Sequence, residues 1–355
     1  MAQTPIKLLI AASGTGGHLF PAIAVARKLS DYQIEWLGVP DRMETELIPK
    51  YSYPLNTIPV TGLQGRLGLG TIKIIIRLIT SILITRKLLQ EKKFHGVFTT
   101  GGYIAAPAII AARSLGLPVI LHESNALPGK VTRWFSPWCT IVALGFANAT
   151  QFLPRAKTIF VGTPVRDNFT TNNKIDLPIP ENVPLIVISG GSQGAIAINK
   201  LVRQCAAQWL EKGAWIVHQT GASDTDIKSF QHPHYFAIPF YDNMAGLFQR
   251  ANLVISRAGA GTLTELAITK TPSILVPYPY AAEDHQAFNA KVFAQAGAAL
   301  VFPQAELTAQ LLESTIIDLL DNPEKLQEMT EKTATLAVPN SAELLVNLLG
   351  ELVKG

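Results

Sequence analysis

Four times in this chain of 355 residues an apolar run ends in a glycine turn that opens into a helical pattern. The runs are Leu8 to Ala12, Val97 to Thr100, Leu185 to Ser189 and Leu253 to Ser256. The turns that follow them are Gly14 to His18, Gly101-Gly102-Tyr103, Gly190 to Gly194 and Ala258 to Thr262. Short apolar runs bounded by turn residues read as strands buried on both faces, which a parallel sheet covered by helices provides. Further strand-like runs at Gln33 to Val39, Val119 to His122, Thr140 to Leu144 and Thr158 to Val161 alternate with helical patterns at Pro21 to Leu29 and Ala105 to Ser114. The grammar restarts at Leu185, with a helix through Asn199 to Leu210 and strands at Trp215 to Gln219, Tyr235 to Pro239, Ser273 to Val276 and Ala299 to Phe302. The expected fold class is α/β, two Rossmann-like doubly wound domains.

The length agrees, since 355 residues exceed what one hydrophobic core organises. Thr170 to Pro184, polar and with three prolines, reads as the linker. A last helix over Ala342 to Val353 starts with Asn340 as cap and Glu343 three residues on. Cys139 and Cys205 stand far apart without ligand spacing, so neither a disulfide framework nor a zinc site is expected. The N-terminus lacks a basic segment, and Leu8 to Ala12 is too short for a signal peptide, which points to a cytoplasmic protein.

A glycine turn after a buried strand lets backbone N–H groups approach an anion, and the helix that follows adds its partly positive end. Any single loop could equally serve tight strand-to-helix packing. All four should project from the carboxyl ends of strands, where doubly wound sheets bind ligands, so two domains would line one cleft. A dinucleotide-dependent oxidoreductase needs a third glycine where the first loop has Leu19, although Asp41 could mimic its ribose ligand. No Gly-x-x-x-x-Gly-Lys-Ser/Thr occurs, which disfavours a P-loop ATPase. Asp224-Thr225-Asp226 has the letters of a metal-binding pair, but it lies in the polar stretch Ala222 to Lys228 and reads as a solvated helix start. No metal and no cofactor is expected.

These loops, in this order, resemble the MurG family. The resemblance runs through Gly14-Thr15-Gly16-Gly17-His18, Thr100-Gly101-Gly102-Tyr103, His122-Glu123-Ser124-Asn125 and Gly162-Thr163-Pro164-Val165-Arg166. It continues in Gly190 to Ala195, Arg257 to Thr262, Glu265, Asp284-His285-Gln286 and Asn289-Ala290. It implies a GT-B fold, with an acceptor- and membrane-binding domain over 1–165, a donor domain over 166–339, and a terminal helix, 340–355, packed back on the first. It implies transfer of N-acetylglucosamine from UDP-GlcNAc to the C4 hydroxyl of MurNAc in undecaprenyl-diphosphoryl-MurNAc-pentapeptide, with inversion, in peptidoglycan synthesis. A UDP-GlcNAc 2-epimerase, a related lipid galactosyltransferase and a non-catalytic sugar-nucleotide sensor are the alternatives.

Carried onto matching positions, the resemblance assigns the donor to Thr15, Gly16, Gly17, Asn125, Arg166, Ser192, Tyr241, Ala260, Gly261, Thr262, Glu265, Gln286 and Asn289. Glu265 would hold the ribose hydroxyls, Tyr241 would read uracil through its backbone, and Gln286 and Asn289 would hold the sugar. Gly14, His18, Gly102 and Tyr103 would face the acceptor. For the base that takes the attacking hydroxyl's proton, His18 and Glu123 are both candidates, and His18 could instead position the acceptor diphosphate.

Charge is concentrated in one place. Residues 66–93 hold Arg66, Lys73, Arg77, Arg86, Lys87, Lys92 and Lys93 against Glu91, a net +6 in a chain of +4, so the remainder is −2. That disfavours nucleic acid and favours one localised anionic partner. Thr71 to Ile84 is apolar but too short to span a bilayer. As a helix it sets Lys73, Arg77, Thr80, Ser81, Arg86 and Lys87 to one side of Ile72, Ile75, Ile76, Ile79, Ile82 and Leu83. Packing on the first sheet would explain this pattern; so would lying on the anionic cytoplasmic face of the inner membrane, with Lys130, Arg133-Trp134-Phe135 and Trp138 extending the patch.

Overall fold

Each half of the alternating pattern closes into its own parallel sheet. The computed structural model describes residues 5–62, 69–191 and 194–354. It divides into one unit of Met1–Arg166 with Asn340–Gly355 and a second of Asp167–Pro339.

In the first unit the elements are β1 (Ile6–Ala11), α1 (Gly16–Lys28), β2 (Tyr32–Gly38), α2 (Met43–Leu47), β3 (Leu55–Thr57), α3 (Leu69–Glu91), β4 (Gly96–Thr99), α4 (Ala105–Ser114), β5 (Val119–Glu123), α5 (Lys130–Phe135), β6 (Ile141–Leu144) and β7 (Thr158–Phe160). The strands order as β3-β2-β1-β4-β5-β6-β7, all parallel. The second unit comprises β8 (Leu185–Ser189), α6 (Ile196–Glu211), β9 (Trp215–Gln219), β10 (Tyr235–Ile238), α7 (Met244–Arg250), β11 (Leu253–Ser256), α8 (Ala260–Thr269), β12 (Ser273–Leu275), α9 (His285–Gln295), β13 (Ala299–Val301), α10 (Ala309–Asp321) and α11 (Pro323–Ala334). Its order is β10-β9-β8-β11-β12-β13, again parallel. The last helix, α12 (Ser341–Lys354), belongs to the first unit.

Strand pleating sorts the first core into two layers. Leu8 and Ile10 of β1 point to one face, against Leu19, Ile23 and Val25 of α1 and Leu345, Leu348 and Leu349 of α12. Leu9 and Ala11 point to the other, against Leu89 of α3 and Ile104, Ala108, Ile109 and Ala112 in and beside α4. Glu343 reaches across to α1, with Lys28 Nζ at 2.8 Å, rather than closing a capping box on its own helix. A helix boundary and a strand differ from the sequence reading. The first helix starts at Gly16, so Gly16, Gly17 and His18 lie inside it; Thr15 is its extended cap residue. The three-residue strand β3 was not expected, because Leu55-Asn56-Thr57 has neither length nor a continuous apolar pattern.

The basic apolar helix is longer than expected and turned differently. Among its described side chains the buried ones are Ser81, Thr85 and Leu89, at i, i+4 and i+8, with Thr85 Oγ1 donating to Ser81 O at 2.8 Å. Small side chains let α3 lie close against alanine-rich α4. Ser81 is therefore in the packed seam and not on a solvated side, while Ile72, Ile75, Ile76, Ile79, Leu83 and Ile84 are exposed and Ile82 is half-buried. Part of the positive charge is locally engaged: Arg86 donates to Ser114 and Gln90, Lys87 pairs with Glu91, and Lys92 pairs with Glu35. Arg66 lies outside the described residues. Among the described residues no helix is long and apolar enough to cross a membrane.

Candidate active site

In a doubly wound sheet the strand order reverses at one point, and the loops leaving the carboxyl ends there diverge to leave a crevice. In the first unit that point lies between β1 and β4, whose outgoing loops are Gly14–Thr15 and Thr100 to Gly102. Gly14 (φ +105°), Gly101 (φ +89°) and Gly102 (φ +74°) all need a backbone that L side chains disfavour. The two loops are joined through His18. Its Nδ1 lies 2.6 Å from the Thr100 carbonyl, and the Thr100 hydroxyl donates back to His18 O at 2.9 Å. A carbonyl only accepts, so Nδ1 carries a hydrogen, and of the two neutral tautomers this contact selects the one whose acceptor is Nε2. Nε2 faces Gly102, where an added Cβ would stand 3.7 Å away.

Glu123, at the end of β5, is committed differently. Oε1 accepts from the Asn125 backbone N–H at 3.0 Å and from Asn125 Nδ2 at 3.1 Å. Oε2 accepts from Gly129 N at 3.2 Å and Thr132 Oγ1 at 2.6 Å. A buried carboxylate holding four donors orients the Asn125 loop and α5, and its lone pairs are already in use. Beside it His122, fully buried, donates from Nε2 to Gly162 O at 2.9 Å; burial pulls its pKa below the ordinary value. Tyr103 is exposed and lies over Gly62, where a Cβ would meet its ring at 2.1 Å. Arg166 lies in this unit, its guanidinium carbon 5.0 Å from the Phe20 ring centre.

In the second unit the reversal falls between β8 and β11. After β11, Gly259 is the extended cap of α8, and the first intrahelical bond runs from Leu263 N to Gly259 O at 3.0 Å. The N–H groups of Ala260, Gly261 and Thr262 thus belong to the first turn, which lacks helical carbonyl partners. Among the described residues nothing stands within 4 Å of a Cβ built on Gly259 or Gly261, so an anion could approach. Glu265 follows Gly261 by four residues, on the same face of α8.

α9 supports this turn. Gln286 Oε1 accepts from Ala258 N at 3.2 Å and Tyr278 N at 2.9 Å, which leaves its amide nitrogen as the group to offer a ligand. Asn289 is fully buried and donates from Nδ2 to Ala258 O at 3.1 Å, so it braces the turn that opens α8. Arg257 is tied back to Val276 O, Pro277 O and Gln304. Two successive non-glycine residues at positive φ, Glu283 (φ 52°) and Asp284 (φ 57°), precede α9. The Tyr241 hydroxyl is turned to Asp176, and burial raises its pKa to about 12.

The loop after β8 is bracketed from β9. Ser189 Oγ donates to Gln219 Oε1 at 2.9 Å, and a Cβ on Gly194 (φ +76°) would come within 2.1 Å of Thr220 O. Ser192, which the resemblance assigns to the donor, and its neighbour Gln193 lie outside the described residues. Beneath the loop sits a buried polar set. Asn199 Nδ2 donates to Thr220 O at 2.8 Å and to Asp224 at 2.6 Å, Arg203 pairs with Asp224, and Asp226 N donates to Asp224 at 3.1 Å. Asp224 is consequently no solvated helix start. It is a buried ion-pair partner, and the Asp-x-Asp letters arise from a turn closed by its carboxylate. Burial opposes its ionisation, but the hydrogen bonds from Arg203 and Asn199 outweigh that and hold its pKa below the ordinary value. His218 donates from Nε2 to Asn199 Oδ1 at 2.9 Å and accepts from the Tyr235 hydroxyl at 2.7 Å. Burial, with Arg203 nearby, lowers its pKa to about 3. None of Asn199, Arg203, His218, Glu44 or Thr132 was singled out from sequence, since each acts through a partner distant along the chain.

Comparison with known proteins agrees with both halves. Residues 8–144 match the glycosyltransferase family 28 N-terminal domain and residues 185–345 the glycosyltransferase family 28 C-terminal domain. A relative from Gloeothece citriformis, named UDP-N-acetylglucosamine--N-acetylmuramyl-(pentapeptide) pyrophosphoryl-undecaprenol N-acetylglucosamine transferase, is 64% identical over 98% of this chain and 97% of its own. The crystal structure of MurG from Acinetobacter baumannii superposes with a TM-score of 0.80 at 31% identity, covering 98% of this chain and 100% of that one. A UDP-N-acetylglucosamine 2-epimerase structure from Listeria monocytogenes reaches a TM-score of 0.70 at 13% identity, covering 99% and 98%, a likeness of fold alone.

Proposed function

The chain belongs to the MurG family of glycosyltransferases, and from that membership we propose that it transfers N-acetylglucosamine from UDP-GlcNAc to the C4 hydroxyl of MurNAc in undecaprenyl-diphosphoryl-MurNAc-pentapeptide, with inversion. Relatives named for this transfer over nearly the whole chain supply the substrates. The observation that supports this chemistry is the 2.6 Å contact of His18 Nδ1 with Thr100 O, which favours the tautomer that turns Nε2 into the proton acceptor.

The chemistry divides between the units. In the second, the N–H groups opening α8 and the Thr262 hydroxyl bind the diphosphate, Glu265 accepts from the ribose hydroxyls, and the Gln286 amide donates to the sugar. In the first, His18 Nε2 takes the C4 hydroxyl proton as that oxygen bonds to the anomeric carbon. The bond from the anomeric carbon to the UDP oxygen breaks, and UDP departs with its electron pair. Negative charge grows on the departing diphosphate, so donors fixed around it stabilise the transition state more than the ground state. Glu123, with four donors on its carboxylate, serves by orienting Asn125.

The lipid anchor of the acceptor gives the exposed aliphatic face of α3 its use. Six large aliphatic side chains on one helix, beside Lys73 and Arg77, make a patch that water does not favour and an anionic bilayer surface does. Trp134 and Trp138 are also exposed, and the short helical stretch carrying them packs on α4, as α3 does. The protein is therefore assigned to the cytoplasmic face of the inner membrane. Incubation with labelled UDP-GlcNAc, with and without the lipid-linked muramyl acceptor, tests the function. Label passing to lipid only when acceptor is present is the expected result. Label appearing in UDP-ManNAc without acceptor would make the chain an epimerase.

A further inference from the structure

Glu44 has no part in the roles above, yet its carboxyl-bearing side chain is fully buried. It lies in the five-residue helix α2, and its carboxylate is spent on two backbone groups: Oε1 accepts from Val39 N at 2.9 Å and Oε2 from Gly14 N at 3.1 Å. The site is built around it, because a Cβ on Gly38 would stand 2.7 Å from Glu44 Cγ. Burying a carboxylate is costly unless donors meet it, and both donors here are main chain.

The bond to Gly14 has a consequence one peptide away. In a trans peptide the N–H and the preceding C=O point in opposite directions, and among the described residues there are no cis peptide bonds. Drawing the Gly14 N–H toward Glu44 therefore turns the Ser13 carbonyl away from it. That carbonyl reaches the space over Gly102: a Cβ built there would lie 3.9 Å from Ser13 O and 3.7 Å from His18 Nε2. Two acceptors flank one small space that no side chain among the described residues enters closer than 3.7 Å. Such a space suits hydroxyl groups and repels an anionic phosphate oxygen, which has lone pairs to offer but no hydrogen.

We propose that the space over Gly102 receives two neighbouring hydroxyls of the acceptor sugar, and that Glu44 is a positioning residue that fixes the Ser13 carbonyl to accept from one of them. The inference rests on the reading of His18 as base. The C4 hydroxyl gives its proton to His18 Nε2. In MurNAc the C3 oxygen is an ether, so the adjacent hydroxyl is the one on C6, and it donates to Ser13 O. No bond to C6 oxygen forms or breaks.

The test compares wild type and Glu44→Gln on the lipid-linked acceptor and on its 6-deoxy analogue. Glutamine has the shape of glutamate but only one accepting atom, so it cannot receive both Val39 N–H and Gly14 N–H. Removing the C6 hydroxyl should lower kcat/KM of the wild type roughly 10-fold, the scale of one hydrogen bond. Glu44→Gln should lose about as much on the normal acceptor and little more on the 6-deoxy compound, with KM for UDP-GlcNAc and UDP-binding stoichiometry unchanged. Losses that multiply would overturn the proposal, as would a wild type indifferent to the C6 hydroxyl. Should Glu44→Gln fail to fold, Glu44→Asp serves: it keeps the carboxylate but is one methylene shorter, so it cannot reach both Val39 N–H and Gly14 N–H. It should lose activity on the normal acceptor and little more on the 6-deoxy compound, and losses that multiply would refute the assignment. A wild type that does not transfer to the normal acceptor sinks the functional reading instead.

Discussion

Replacing Ile75, Ile76, Ile79 and Leu83 with serine should detach the protein from anionic bilayers without unfolding it. These side chains are 48%, 57%, 52% and 61% exposed, so about half of each is already in water. Burying a whole aliphatic side chain stabilises by about 1.5–3 kcal/mol, so the exposed half of each contributes about 0.8 kcal/mol at the lower limit. Four together give about 3 kcal/mol, which is roughly a 100-fold loss in partition coefficient. The assay is sedimentation with vesicles of phosphatidylglycerol and phosphatidylethanolamine, with the melting temperature measured in parallel. Lys73→Gln with Arg77→Gln should weaken binding by about 1 kcal/mol per charge and flatten its salt dependence. Unchanged sedimentation of the quadruple variant, or wild-type binding indifferent to anionic lipid and salt, would refute the reasoning. A large fall in melting temperature would show instead that these side chains pack within the fold.

The second unit offers two further outcomes. Asp226→Asn should leave turnover near wild type, whereas Asp224→Asn leaves the buried Arg203 charge without its carboxylate and should destabilise by about 3–5 kcal/mol in denaturant unfolding; recovery of Asp224→Asn activity by added magnesium would contradict the ion-pair role. His218 is held neutral with a pKa of about 3 against an ordinary 6.5, so the unfolded chain binds the extra proton below pH 6.5. Stability from this group should then be complete above pH 6.5 and fall by about 1.4 kcal/mol per pH unit between there and about pH 3, a slope that His218→Gln should remove.

How much of this was legible in the sequence depended on how far apart the cooperating residues stand. Strands such as Leu185–Ser189 and Trp215–Gln219 declare themselves through local apolar runs and turn residues, and the glycine turns at Gly14, Gly101 and Gly194 need the positive φ that the structure gives them. The orientation of α3 was not legible, because periodicity locates an apolar face without saying that Ser81 and Thr85 form the packed seam and the isoleucines face out. Glu44 and Asp224 were missed or misread for a related reason. Their partners, Gly14 and Arg203, lie 30 and 21 residues away, and a carboxylate in a polar stretch looks solvated until the fold buries it. His18 was legible as a candidate base, whereas its tautomer was not, since the Thr100 carbonyl that selects it is 82 residues distant.

The measurement that bears most directly on the central claim is the pH dependence of kcat for His18→Ala at saturating UDP-GlcNAc and lipid acceptor. If His18 Nε2 is the base, the variant should lose roughly 100- to 10,000-fold in kcat, and the acidic limb of the wild-type profile should vanish. A variant that keeps that limb, or one whose kcat stays within a few-fold of wild type, would show that another group takes the proton and that His18 only positions the acceptor.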